Sequence, residues 1–187
     1  MSVQIPFIEK YRPYFLNDFC TTDCFKRVVN TLIHADELNI LFVGNNNSGK
    51  TSLLNALIRE YYGLSQNASF PEHNILFINN LKEQGIQYFR NDMKTFCQSR
   101  SSIYGKKKIV IIDDIDTINE QSQQVFRNYI DKYSNNIQFI SVCSNVQKVV
   151  ESIQSRLHIV QIPSPTQLQI RGRMEHIIST EAIEIDD

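Results

Sequence analysis

Two stretches of the chain carry residue types and spacings able to handle phosphate. The first is Gly44-Asn45-Asn46-Asn47-Ser48-Gly49-Lys50-Thr51, which fits the phosphate-loop pattern Gly-x-x-x-x-Gly-Lys-Ser/Thr at every fixed position. Gly44 and Gly49 let the backbone turn tightly, so that successive N–H groups from Gly44 to Ser52 can surround a phosphate. Lys50 then reaches the β- and γ-phosphates, and the Thr51 hydroxyl is placed to ligate Mg²⁺. The second stretch is Asp113-Asp114, at the end of the apolar run Ile109-Val110-Ile111-Ile112. Asp113 would hold the same Mg²⁺, because a hard cation takes oxygen ligands and keeps several waters. Asp114 would orient or deprotonate a water attacking the γ-phosphate. The expected cofactors are therefore ATP and Mg²⁺.

Such chemistry needs a strand before each motif and a helix after the loop. Ile40-Leu41-Phe42-Val43 precedes the loop, and an apolar pattern running to about Tyr62 follows it, with Gly63 as a stop. Ile75-Leu76-Phe77-Ile78, Ile137 to Cys143 and His158 to Ile162 read as further strands. Helical spacing appears after Asp23, from about Gly85 to Gln98, from an Asn119 cap through Tyr133, and from Thr166 to Thr180. Residues Gln4 to Phe19, with Pro6 and Pro13, read as extended. Lys106-Lys107-Lys108 reads as a solvated turn entering a strand. Apolar strands alternating with helices predict an α/β fold of three layers, with a parallel sheet covered on both faces. The nucleotide then lies at the carboxyl ends of the strands.

With 19 Lys plus Arg against 20 Asp plus Glu, the chain is no bulk polycation, so any nucleic-acid contact must come from a local cluster or from assembly. The 4 cysteines, Cys20, Cys24, Cys97 and Cys143, lack zinc-site spacing and read as reduced thiols. No apolar run approaches a membrane span, and the first residues do not open a signal peptide. An intracellular protein is expected, without membrane contact: in the nucleus of a eukaryote, otherwise in the cytoplasm or at a replication site in a host cell.

Beyond these motifs, the chain resembles the small subunits of replication factor C, the sliding-clamp loader of the AAA+ ATPases. The resemblance rests on Pro6-Phe7-Ile8-Glu9-Lys10-Tyr11-Arg12-Pro13, on Phe77-Ile78-Asn79 through Gly85-Ile86, and on the helix from Ile118 to Ser134. It rests also on Lys148-Val149-Val150-Glu151-Ser152-Ile153-Gln154-Ser155-Arg156, and it covers Ile5 to about Pro165. It implies a P-loop NTPase fold with an adenine-side segment over 1–22, an ATPase domain over 23–163 and the start of a small helical lid over 164–187. In that frame Ile8 and Arg12 lie against base and phosphates, and Asn79 couples DNA contact to the catalytic carboxylate. Arg156 is an arginine finger for the neighbouring subunit's ATP, and the polar sensor after the fourth strand is Ser144 or Asn145, with Asn145 favoured. Arg90, Lys94 and Arg127 match basic positions facing DNA. The implied partners are other clamp-loader subunits, the sliding clamp and primer–template DNA.

The chain departs from the family at Asn45-Asn46-Asn47, where proline, another residue and glycine are usual, and at Asp114, where Glu is usual. Gln84 and Asn128 replace basic residues. The chain stops at Asp187, inside what the family builds as its lid, so a piece of a longer protein and a shortened relative are both open. Two further readings stay open on function: a nucleotide-binding structural subunit with little hydrolysis of its own, and an AAA+ ATPase that remodels DNA junctions.

Overall fold

The five apolar runs become the strands of a single parallel sheet in a computed structural model that describes residues 6–78 and 91–183. The strands are β1 (Ile40–Val43), β2 (Ile75–Ile78), β3 (Lys108–Ile112), β4 (Ile137–Cys143) and β5 (His158–Gln161), in the spatial order β2-β3-β4-β1-β5. Side chains alternate across a strand. Ile40, Phe42, Ile109, Ile111, Ile140 and Val142 therefore pack on one face, against α2 (Asp23–His34) and α3 (Lys50–Tyr62). Leu41, Val43, Val110, Ile112, Phe139 and Cys143 pack on the other. That second face is covered by α4 (described over 91–98), α5 (Glu120–Tyr133) and α6 (Glu151–Gln154). The three layers expected from the sequence are present.

Strand order decides which chemistry meets. β4 lies between β1 and β3, in register Val43↔Cys143 and Ile112↔Ser141. The turn after β4 thus emerges between the phosphate loop and the acidic pair, and the Gly44 N–H donates to the Cys143 carbonyl at 3.1 Å.

Helix ends follow local chemistry. Asn119 caps α5 by accepting from the Ser122 N–H, and Gly63 closes α3 in the left-handed conformation at φ 64. At α2 the cap is Thr22 rather than Asp23, which becomes the first helical residue. Of the apolar residues at helical spacing on α2, Val28 is 42% exposed, whereas Val29 is buried together with Phe25.

Three other expectations are corrected. The segment after Pro6 is not wholly extended but forms a short helix, α1 (Phe7–Lys10). Strand β2 is an edge strand, and Phe77 on its outer face is exposed; β5, at the opposite edge, is likewise largely exposed. The lysine run is not a solvated turn. Lys107 pairs with Asp36 at 3.2 Å, and Lys108 is buried with its ammonium on the Phe96 carbonyl and the Ser99 hydroxyl, closing the C-terminal end of α4. Burial lowers the Lys108 pKa.

The last helix, α7 (Gln167–Glu181), buries none of its residues. It is tied to α1: Glu181 accepts from Lys10 and the Tyr11 hydroxyl, and Arg173 donates to the Tyr11 carbonyl at 3.3 Å.

Gln123, on the inner face of α5, is the polar joint of the second layer. Its amide nitrogen donates to the carbonyls of Ile115, Ile118 and Lys148, and its oxygen accepts the Val150 N–H at 2.8 Å. One buried side chain thereby fastens α5 to the segments following β3 and β4. Gln123→Ala should lower stability by about 1–3 kcal/mol, since it strands several buried backbone groups. Urea unfolding is the check; an unchanged midpoint would deny the joint its structural role.

Candidate nucleotide site

The loop between β1 and α3 is shaped by backbone that favours glycine or asparagine. Asn47 and Gly49 both adopt positive φ, 62 and 82 respectively. At Gly44 a Cβ would meet the Ser48 hydroxyl at 2.7 Å and Ile162 Cβ at 3.2 Å, so a larger residue there would have to displace its neighbours. Asn45, Asn46 and Asn47 are exposed at its crest. Ser48 donates its N–H to the Asn45 carbonyl at 3.2 Å, and its buried hydroxyl has no hydrogen-bond partner among the described residues. Phe19 lies against the loop, 3.7 Å from where a Cβ on Gly49 would stand.

Lys50, the first residue of α3, is buried, and its ammonium bridges three oxygens: the carbonyls of Gly44 (3.2 Å) and Asn45 (3.0 Å) and the Ser144 hydroxyl (3.0 Å). Thr51 donates its hydroxyl to Asp113 Oδ2 at 2.9 Å, which joins the two expected metal ligands directly. Ser52 follows in the first turn of α3.

Asp114 stands in the left-handed region at φ 52 and ψ 51, a conformation Asp tolerates better than most residues. Its carboxyl pKa is raised, first by burial and then by the negative charges of Asp113 and Asp116, with Lys50 opposing. A carboxyl whose pKa is raised on folding disfavours the folded state at pH values above both its folded and unfolded values. Asp114→Asn should therefore raise Tm at neutral pH. The gain should fade as the pH falls and the wild-type carboxyl protonates. Thermal melts across pH 4–8 give the comparison (a range set by ordinary carboxyl titration, about pH 4 upward); a pH-independent gain would contradict the electrostatic cause.

The two sensor candidates separate clearly. Ser144 touches Lys50 and donates to Asn46 Oδ1 at 2.8 Å. Asn145 instead turns its side chain to accept the Gln147 N–H at 2.9 Å, capping the short helical turn Val146–Lys148. The sequence favours Asn145 as the sensor, but of the two it is Ser144 whose side chain reaches the loop. Asp116 fixes this turn, its Oδ2 accepting the N–H groups of Ser144 (3.2 Å) and Asn145 (3.0 Å). Sequence reading missed Asp116, although a third carboxylate two residues after Asp114 was its available signal.

The remaining candidates do not converge here. Ile8 and Arg12 are exposed on and just after α1. Arg156, just after α6, makes its polar contacts with Asp131 on α5, the Ser152 carbonyl (2.6 Å) and the Ser155 hydroxyl (3.3 Å), none with the loop. Arg127 pairs with Asp131 at 3.2 Å. Lys94 is exposed and lines a groove of about 440 Å³ between α4 and α5, with Asn91, Val125, Asn128, Tyr129, Lys132 and Tyr133. Asn79 and Arg90 lie outside the described residues.

The donor set suits Mg²⁺ arriving with a nucleotide: two hard oxygens, Thr51 Oγ1 and Asp113 Oδ2, beside a loop built for phosphate. Among the described residues no cluster of three or more His, Cys, Asp or Glu could cage a metal unaided. Nor is any described helix long and apolar enough to cross a membrane.

Comparison with known proteins places this geometry. Residues 40–164 match the family model "ATPase family associated with various cellular activities (AAA)". Replication factor C subunit 3 of Oryza sativa subsp. japonica is 31% identical over 97% of this chain and 50% of its own length. Replication factor C subunit 5 of Homo sapiens is 27% identical over 98% of this chain and 53% of its own. The chain thus spans about half the length of these curated relatives. A RuvB variant of Thermotoga maritima shares the fold, with a TM-score of 0.67 and 16% identity over 94% of this chain and 56% of that one.

Proposed function

From the premise that the chain belongs to the AAA family of ATPases, we propose that it is an ATP-binding and ATP-hydrolysing subunit of a sliding-clamp loader of the replication factor C type. It would work with other loader subunits to place a clamp on primer–template DNA for replication and repair, in the nucleus if its source is eukaryotic. The observation that carries the nucleotide chemistry is the meeting of Lys50, Thr51, Asp113 and Ser144 at the ends of three adjacent strands. The clamp-loader assignment is supported by curated relatives named as replication factor C subunits.

Each residue has a role in this reading. The loop from Gly44 to Ser52 wraps the phosphates with backbone N–H groups, and Lys50 neutralises their charge. Thr51 and Asp113 hold Mg²⁺, which when bound offsets charge on the phosphate oxygens. Asp114 orients and deprotonates the attacking water, and Ser144 holds Lys50 and Asn46 in place. Ile8 and Arg12 lie on the adenine side, within an N-terminal segment over 1–22. The domain over 23–163 does the chemistry, and 164–187 begins a lid. Arg156 acts on the adjoining subunit's nucleotide, Arg127, Lys94 and Arg90 face DNA phosphates, and Asn79 couples DNA contact to the catalytic carboxylate.

A second reading, a subunit that binds nucleotide and lends Arg156 while hydrolysing little itself, is favoured by Asp114. Its side chain is one methylene shorter than the family's Glu, and its carboxyl pKa is raised, first by burial and then by the like charge of Asp113 and Asp116. Single-turnover hydrolysis inside a reconstituted assembly separates the two readings. The metal assignment is tested by isothermal titration of ATP with and without Mg²⁺. Wild type should bind more tightly with Mg²⁺, and Asp113→Asn should erase most of that difference. An undiminished Mg²⁺ dependence in the variant would refute Asp113 as a ligand.

A further inference from the structure

Asp131, in the last turn of α5, is shared by two arginines that come from different elements. Its Oδ1 accepts from Arg156 Nε, and its Oδ2 accepts from the Arg127 guanidinium at 3.2 Å. Arg127 lies one helical turn before Asp131 on α5, whereas Arg156 reaches across from the end of α6. All three side chains are partly exposed, at 33% for Arg127, 41% for Asp131 and 30% for Arg156. Arg156 is further fixed through one terminal nitrogen, on the Ser152 carbonyl and the Ser155 hydroxyl. With Nε and that nitrogen held, the guanidinium is fixed at two of its three nitrogens, from two sides.

We propose that Asp131 is a positioning residue that links phosphate binding at Arg127 to the hold on Arg156. One carboxylate cannot act in full on two cations at once. When Arg127 turns to a phosphodiester, the charge of Asp131 bears on Arg156 alone and steadies its pose. Linkage makes the effect reciprocal: pairing with Arg156 loosens the grip of Asp131 on Arg127 and so favours phosphate binding there. The Asp131 carboxyl pKa is lowered, first by the hydrogen bond from Arg156 and then by the charges of both arginines, which agrees with a shared anion. The biological sense of the link rests on the roles proposed above for Arg127 and Arg156; the shared carboxylate does not.

The first measurement needs no DNA. Exchange of the Arg156 Nε–H with solvent, followed by NMR on the whole chain, should slow by about two- to fivefold in Arg127→Ala, the range of an exposed ion pair. It should become fast in Asp131→Asn, which keeps the shape of the side chain and loses its charge. An Arg156 Nε–H indifferent to Arg127→Ala overturns the proposal.

The second measurement is fluorescence anisotropy with a labelled primer–template duplex at low salt. Asp131→Asn should tighten binding by about two- to fivefold, and Arg156→Ala should weaken it by a similar factor. General charge effects would move affinity in the same directions, but they would add. Under the proposal, Arg156→Ala has no effect once Asp131→Asn is present. Additive effects in the double variant overturn it. If Arg127→Ala slows Arg156 Nε–H exchange yet leaves duplex affinity unchanged, the carboxylate is shared but Arg127 does not face DNA, and the link to phosphate binding is overturned. A pair of surface ion bridges that merely steady α5 against α6 would shift Tm and leave this non-additivity absent.

Discussion

Lys50→Met should lose at least about thirtyfold in ATP affinity, the consequence of removing about 2 kcal/mol or more when one partner of a close charge pair is truncated. The ammonium is buried at the head of α3, where it bridges the carbonyls of Gly44 and Asn45 and the hydroxyl of Ser144. Such a position places a full positive charge beside the phosphate-wrapping backbone, and burial keeps water from screening it. Methionine retains the apolar stem packed in the fold and deletes only the charge. Lys50→Ala should lose the same affinity and also some stability, because it removes the stem. Isothermal titration gives the affinity, and a thermal melt of each variant separates lost binding from lost folding. Wild-type affinity in a well-folded Lys50→Met would sink the phosphate-loop assignment.

The parts of the fold that local chemistry controls were readable before any coordinates. α5 begins after Asn119 and ends at Tyr133 as its cap and apolar spacing require, and α3 stops at Tyr62 because Gly63 can turn left-handed. Strands β1, β3 and β4 are buried along their whole length, and the apolar runs Ile40–Val43 and Ile109-Val110-Ile111-Ile112 and the mostly apolar Ile137–Cys143 identified them. The same rule misjudged β2. An apolar run reports that a segment is strand-like, but only the order of strands reveals that this one lies at an edge with Phe77 exposed. α1 was missed because four residues after Pro6 carry too little periodicity to register as a helix.

Within the site, the difference between motif and geometry is sharper. Lys50, Thr51 and Asp113 were legible because their types and spacing alone define the chemistry, and the fold brings them together. Ser144 and Asn145 are adjacent polar residues, each able to serve, and spacing could not choose between them. They are separated by one contact distant in sequence and one local: Asp116 holds the turn by its N–H groups, while the nearby Gln147 N–H claims the Asn145 side chain. Of the two ion pairs of Asp131, the i,i+4 pair with Arg127 follows from helical spacing, whereas the one with Arg156 was invisible because that arginine comes from another element.

The step that distinguishes a clamp loader from an isolated ATPase is tested at Arg156. In the folded chain this arginine is bonded to Asp131, Ser152 and Ser155, and to no residue of its own phosphate loop. It should therefore be useless to the nucleotide bound by its own chain and act instead on the adjoining subunit. A planar guanidinium meeting the charge that spreads over the transferring phosphoryl oxygens is worth on the order of a thousandfold in rate or more. The isolated chain should bind ATP and turn it over slowly, with or without DNA. In mixed complexes where only the adjoining subunit is able to hydrolyse, Arg156→Ala should cut that subunit's turnover by about a thousandfold. This chain's own ATP affinity should be untouched, because no bond of Arg156 supports the loop. Arg156→Lys should rescue little, since an ammonium cannot present two parallel donors. Full turnover in those complexes would remove the reason for placing Arg156 at a subunit boundary. A loss of this chain's own ATP binding would place it in the wrong site altogether.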